Sequence, residues 1–176
     1  MENKDILAVI AAAGGWVVAI ITLVFGYLER KSAREEDLLT KTIAYFDGGG
    51  QRRSIGVSLL EGVWIDRASY HKVIVPLVAN QIVYLLLSSE SVDAHNERNL
   101  VRLIMLLRKV PHLQHSFSDR WTDVCDAIYQ KVCAIDEGDK SRKGIPISRA
   151  TLRLWSKELG HDVGPVPPSA GDLDLT

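Results

Sequence analysis

One stretch near the start of the chain constrains the fold more than any other: residues 6–28 contain no Asp, Glu, Lys or Arg. As an α-helix this stretch would extend about 34 Å, and the hydrocarbon core of a bilayer is about 30 Å thick. A helix on the surface of a soluble domain carries a polar stripe, which residues 6–28 lack. The pattern therefore predicts a transmembrane helix, with the lipid bilayer as the first partner of the chain.

A cleaved signal peptide is the main alternative, and the flanking residues argue against it. Glu2 and Asp5 oppose Lys4 before the stretch, whereas a signal peptide begins with net positive charge. The small residues at 11–13 also follow too few apolar residues to mark a cleavage site. We therefore expect the segment to be retained as an anchor.

Basic residues set the predicted orientation of the span. One basic residue precedes it, Lys4, and four follow it closely: Arg30, Lys31, Arg34 and Lys41. Because positive charge is retained on the cytoplasmic side, residues 1–5 should lie outside and the C-terminal part should be cytoplasmic. The sequence thus predicts a single-pass protein of the inner (plasma) membrane.

Small residues form one face of the predicted span. Close backbone approach between transmembrane helices favours such residues, spaced by three or four. They are Ala11, Gly15, Ala19, Thr22 and Gly26. Gly and Ala are also simply common in spans, but this face covers four turns, so we expect the span to self-associate into a homo-oligomer.

The rest of the chain predicts an all-α fold. The span should continue as a stalk helix over residues 29–47, because no Gly or Pro occurs before the three glycines at 48–50. Helical spacing of apolar residues then predicts a compact cytosolic domain over residues 48–160, either a helical bundle or a HEAT-like helical stack. Its helices are expected at about 51–65, 70–88, 94–110, 119–135 and 148–159.

Several residues predict where these helices begin, bend or end. Asp93 and Ser118 are placed as N-caps, and Pro111 as a stop. Pro76 should kink or split its helix. Residues 161–176 have three prolines and no Lys or Arg, which predicts a disordered acidic tail.

A second span over residues 73–87 is the alternative to a central core helix. The segment would extend only about 22 Å as a helix, less than the bilayer core. Asn80 and Gln81 lie in its middle, and burying two amides in lipid is costly. The core helix is therefore favoured.

Familiar catalytic motifs are missing from the sequence, including the phosphate-binding P-loop, the HExxH zinc motif, the nucleophile elbow and CxxC. We therefore predict no catalytic residue, metal or cofactor, and no enzymatic activity. Cys125 and Cys133 share one helical face and are interpreted as structural thiols. His112 and His115 lack a third ligand nearby. The net charge of -1 also argues against a nucleic-acid binder.

The segment Gly48-Gly49-Gly50-Gln51-Arg52-Arg53 is the candidate binding site. Glycines allow successive N–H groups to converge, and the following helix start favours an anion such as a nucleotide, a phosphate or a lipid headgroup. Two arginines at a helix N-terminus oppose its dipole, which an anionic ligand would explain. Arg98 and Arg102 are predicted to belong to the same site, because two like charges four residues apart destabilise a helix unless an anion bridges them. The alternative is an inter-helix turn followed by a solvated first turn.

The charge-free span at 6–28, the stalk and the GGGQRRS turn together resemble small bacterial single-span membrane effectors of anti-phage defence systems. The resemblance implies a channel-like oligomer whose spans are gated when the cytosolic domain senses a nucleotide or other anionic signal. A membrane-anchored helical adaptor that docks a cytosolic protein partner is the alternative.

Overall fold

The computed structural model describes residues 3–89, 93–136 and 143–160. Side chains at 3–19, 21 and 136 are outside this description. Every regular element in these ranges is helical, which confirms the all-α prediction. The six α-helices are α1 (Asn3–Ala44), α2 (Gly50–Leu59), α3 (His71–Leu87), α4 (Ala94–Lys109), α5 (Ser118–Asp136) and α6 (Arg149–Glu158).

The predicted span and most of the predicted stalk form one continuous helix, α1. Its 42 residues correspond to a length of about 63 Å. A short 3-10 turn at Tyr45–Asp47 follows α1, and the extended residue Gly48 ends that turn. The chain divides into two compact units, Met1–Lys41 and Thr42–Thr176, which we call the N-terminal and C-terminal units.

Helix α3 is the centre of the C-terminal unit, where it packs against both α4 and α5. Its buried side chains are Ile74, Val75, Val78, Ala79, Ile82, Leu85 and Leu86. Helix α2 packs against α4, and α6 packs against α5, so the outer helices cover the helices that flank α3. These contacts support the core-helix interpretation of residues 73–87.

Within the described part of the chain, one helical segment, Ala68–Leu87, meets the length and hydropathy expected of a membrane span. About 44% of that segment is buried inside the protein. A central core helix of a folded domain has these same properties.

The helix ends test several of the sequence predictions. Asp93 caps α4, since its side chain accepts a hydrogen bond from the Asn96 N–H, as predicted. Ser118 is instead the first residue of α5, and the carbonyl of Phe117 accepts the first helical bond, from Trp121. Pro76 does not split α3, which continues through it as one helix. The predicted tail at 161–176 lies outside the described residues.

The segment before α6 closes over the C-terminal end of α3. Gly144 donates its N–H to the carbonyl of Ser89 at 2.8 Å, and Ile145 donates to that of Leu85 at 2.9 Å. Gly144 has φ of +84°, and a Cβ there would lie 1.9 Å from the carbonyl oxygen of Leu86. Only glycine permits this close crossing, because its backbone tolerates positive φ and it has no side chain.

Candidate functional site

Two of the three glycines at 48–50, Gly48 and Gly50, are required for space rather than for unusual backbone angles. Gly48 has φ of −89° and Gly49 has φ of −64°, values that other residues adopt readily. A Cβ at Gly48 would lie 2.7 Å from the Arg52 side chain. A Cβ at Gly50 would lie 2.7 Å from both carboxylate oxygens of Asp93. The turn is therefore closely packed at Gly48 and Gly50.

A carboxylate of the protein itself lies at the start of α2. Asp93 sits against Gly50, the first residue of α2, and also caps α4 by accepting from the Asn96 N–H at 2.7 Å. Helix N-termini attract negative charge because their first N–H groups have no helical acceptor. Asp93 thus supplies this negative charge from within the chain, at the turn where the sequence predicted an anionic ligand.

Arg53 is buried, with only 6% of its surface exposed. Its guanidinium donates to Asn96 Oδ1 and, over 3.4 and 3.3 Å, to the carbonyls of Phe46 and Gly48. It also lies 5.3 Å from the centre of the Tyr84 ring, a cation–π distance. Arg53 therefore joins the turn after α1, the start of α4 and the face of α3.

Two more hydrogen bonds complete the polar contact between α2 and α4. Asn99 Nδ2 donates to the carbonyl of Gly50 at 3.0 Å, and Ser54 Oγ donates to Asn99 Oδ1 at 2.9 Å. Asn96 and Asn99 are almost fully buried. We name this set the α2–α4 polar network, and its members are Arg53, Ser54, Asp93, Asn96 and Asn99. Arg53 Nε is buried without a hydrogen-bond partner among the described residues, and the other hydrogen bonds of the network fix the register of the two helices.

The remaining residues of the predicted anion site are either paired within the protein or exposed. Arg102 forms an ion pair with Glu61 and also donates to Ser58 Oγ at 2.9 Å. Gln51, Arg52 and Arg98 have exposed side chains. The structure thus gives Arg53 and Arg102 internal partners, and an anionic ligand at this site stays a prediction.

The predicted oligomerisation face lies on α1. The side chains of Ala11 and Ala19, and the surroundings of Gly15, lie outside the described residues. Thr22 is exposed, and a Cβ built at Gly26 would meet no atom within 4 Å. Self-association through this face stays a prediction.

A groove lies between α3 and α5, and it was not predicted from the sequence. Its volume is about 490 Å³. Helix α3 lines it with Asn80, Val83, Tyr84, Leu87 and Ser88, and α5 lines it with Asp123, Asp126, Ala127 and Gln130. The spacing by four of Asn80, Tyr84 and Ser88 was the available signal, because it places polar groups along one face of an apolar helix. That the face borders a groove depended on where α5 packs.

The two cysteines of α5 lie in different surroundings. Burial, aided by the neighbouring charge of Asp126, raises the pKa of Cys125 to about 11, so this thiol is protonated at neutral pH. A hydrogen bond with Cys133, together with the charge of that thiol, raises the pKa of Tyr129. Across the described residues, no three His, Cys, Asp or Glu side chains cluster as metal ligands.

No protein-family model, curated protein or solved structure matches this chain. The function of the chain is therefore inferred from the geometry described above.

Proposed function

We propose that this chain is a single-pass membrane protein that anchors a helical adaptor domain to the cytoplasmic face of a bacterial inner membrane. The observation that carries the anchor is the exposure of large apolar side chains on α1. They are Ile20, Leu23, Val24, Phe25, Tyr27 and Leu28, each at least half exposed. Contiguous apolar surface of this kind marks a site of interaction with a membrane or a protein. A bilayer would remove it from water on every side of the helix.

The basic residues that follow the apolar segment of α1 support a cytoplasmic location for the C-terminal unit. Arg30, Lys31 and Arg34 are exposed directly after the apolar segment, where lipid phosphates would lie. Tyr27 precedes them, and its amphipathic ring suits the headgroup layer. The C-terminal unit would thus lie on the cytoplasmic side, and the residues before the span outside.

The internal pairing of charged groups favours an adaptor over a ligand-gated sensor. Arg53 and Arg102 are held by partners within the C-terminal unit, and Asp93 already supplies negative charge at the start of α2. A gating ligand would have to replace these contacts with stronger ones in one of two states. A rigid helical surface presented to a protein needs no such exchange.

The anchor is tested by membrane fractionation of the full-length chain in a bacterial host. We expect the protein to stay with membranes in alkaline carbonate and to enter solution only with detergent. A variant lacking residues 1–28 is the matched control and should appear in the supernatant. Full-length protein in the aqueous supernatant without detergent would overturn the proposal. For orientation, Glu2→Cys should react with an impermeant maleimide in intact spheroplasts.

A self-associating membrane effector, of the channel-like type found in anti-phage defence, is the second candidate. It depends on the small-residue face of α1: a Cβ built at Gly26 meets no described atom within 4 Å, which leaves room for a second helix to approach closely. Gly15→Leu should abolish a defined oligomer in detergent. Gly14→Leu is the matched control, since Gly14 lies about 100° around the helix from Gly15. Equal effects of the two substitutions, or a monomeric wild type, would argue against this candidate.

A further inference from the structure

The groove between α3 and α5 has the dimensions of a binding site for a short stretch of chain. Its volume of about 490 Å³ falls in the range of small-ligand sites. Along α3 it runs from Asn80 to Ser88, about 12 Å at the helical rise. An extended peptide covers that length with about four residues.

The floor and the rim of the groove differ in chemistry. Val83, Leu87 and Ala127 are buried or half-buried and form an apolar floor. The rim residues are exposed and polar: Asn80, Tyr84, Ser88, Asp123, Asp126 and Gln130. An occupant would therefore bury apolar groups at the floor and form hydrogen bonds along both edges.

The charge of the groove is negative. Among the described residues that line it, Asp123 and Asp126 are the charged ones, and both are on α5. Asp123 pairs with Arg120 at 3.1 Å, but both side chains are nearly half exposed, where such a pair contributes little. In the described part of the chain, Asp126 forms no hydrogen bond or ion pair. A cationic group in the groove would meet both carboxylates, whereas an anion would be repelled.

Tyr84, the aromatic residue on the rim, is in contact with a buried arginine. The guanidinium of Arg53, itself fixed by the α2–α4 polar network, lies 5.3 Å from the Tyr84 ring centre. Tyr84 still exposes 42% of its surface. An ordered aromatic ring at an interface contributes contact area with little loss of entropy on binding.

We infer that this groove is the docking site for a basic segment of a partner protein. The segment would be extended, about four residues long, with Arg or Lys facing Asp123 and Asp126 and an apolar side chain on the floor. The inference rests on the proposed adaptor function, for which it names the docking surface and the charge of the partner. The two carboxylates disfavour acidic peptides and anionic lipid headgroups.

Binding of a labelled peptide to the full-length protein tests the inference. The probe is a fluorescein-labelled Arg-Leu-Lys-Leu peptide, titrated in neutral detergent at about 0.1 M salt, with Glu-Leu-Glu-Leu as the charge-reversed peptide. The test variant is Asp123→Asn with Asp126→Asn. Asp119→Asn is the matched control, because Asp119 is an exposed carboxylate on the same helix but outside the groove.

We expect saturable binding of the basic peptide, weakened at least about tenfold in the double variant and unchanged within about twofold in Asp119→Asn. A photoreactive residue at Val83 should crosslink to the peptide. Equal binding by the double variant and wild type, no crosslink between residue 83 and the peptide, or no saturable binding would each overturn the inference. Membrane fractionation of cells that express the same variants, carried out without detergent, tests the anchor separately, so failure of the groove and failure of the anchor are distinguishable.

Discussion

Helices α1 and α3 are both rich in apolar residues, yet their side chains have opposite surroundings. In α3, Ile82 and six other apolar side chains are buried against neighbouring helices. In α1, the large apolar side chains from Ile20 to Leu28 are exposed. Composition alone thus does not decide where an apolar helix resides. The decisive factor is whether other helices of the chain cover it.

Three parts of the C-terminal unit pack against α3 and shield it from water. Helices α4 and α5 provide packing, Arg53 covers the ring of Tyr84, and the segment at Gly144 closes over the end of the helix. For α1, we propose that lipid provides the cover. Each part of this comparison can be tested by a substitution.

The largest difference in stability is expected between an aspartate introduced into α3 and an aspartate introduced into α1. Ile82→Asp should reduce the free energy of unfolding by at least about 4 kcal/mol, because it buries an unpaired carboxylate. Val24→Asp should leave unfolding of the C-terminal unit within about 0.5 kcal/mol of wild type, because Val24 is exposed. Urea unfolding monitored by tryptophan fluorescence measures both. Equal stabilities would show that α3 is not the core helix.

The next largest loss of stability is expected at Arg53, which lies against the ring of Tyr84. Arg53→Met should cost about 2–4 kcal/mol, because it leaves the buried oxygen of Asn96 and two backbone carbonyls without their donor. Arg52→Met, at the exposed neighbouring residue, should change stability by less than about 0.5 kcal/mol. Chemical denaturation of both variants measures the difference. Similar losses for the two would contradict the structural role of Arg53.

A smaller loss is expected where the chain crosses the end of α3. Gly144→Ala should cost about 1–3 kcal/mol, since φ is +84° and the added Cβ meets the Leu86 carbonyl. Gly62→Ala is the matched control: nothing lies within 4 Å of its Cβ, so the substitution should be neutral or slightly stabilising. Thermal unfolding compares the two. Tolerance of alanine at 144 would rule out this close crossing.

The smallest effect concerns pH. The pKa of Cys125 is raised from 9.0 to about 11 in the folded protein, so the unfolded thiol ionises first as pH rises. The free energy of unfolding should therefore be insensitive to this group below about pH 8 and decrease between about pH 9 and 11. Cys125→Ala should reduce that decrease. Iodoacetamide should also label the half-buried Cys133 before Cys125. Faster labelling of Cys125 would contradict its burial.

Local sequence signals predicted the helices well. Asp93 was recognised as the cap of α4 and Pro111 as its stop, because helix caps and stops depend on residues close in sequence. The Ser118 cap was placed one residue late, within the usual variation of helix ends. Of the two outcomes expected at Pro76, a kink or a split, the split does not occur, because a proline in the second turn removes a single helical hydrogen bond.

The candidate site was less predictable. The turn at Gly48–Gly50 was recognised as unusual, but its packing against Asp93 joins residues more than 40 positions apart. Adjacent arginines gave no indication that Arg53 would be buried and Arg52 exposed. The groove likewise depends on the packing of α5 against α3.

The sequence by itself determined the helical fold, the apolar segment at 6–28 and most helix ends, because hydrophobic periodicity and capping act over a few residues. The tertiary structure decided which apolar helix is covered, which arginine is held inside and where a groove opens. These outcomes depend on the partners that each side chain meets when distant helices pack together.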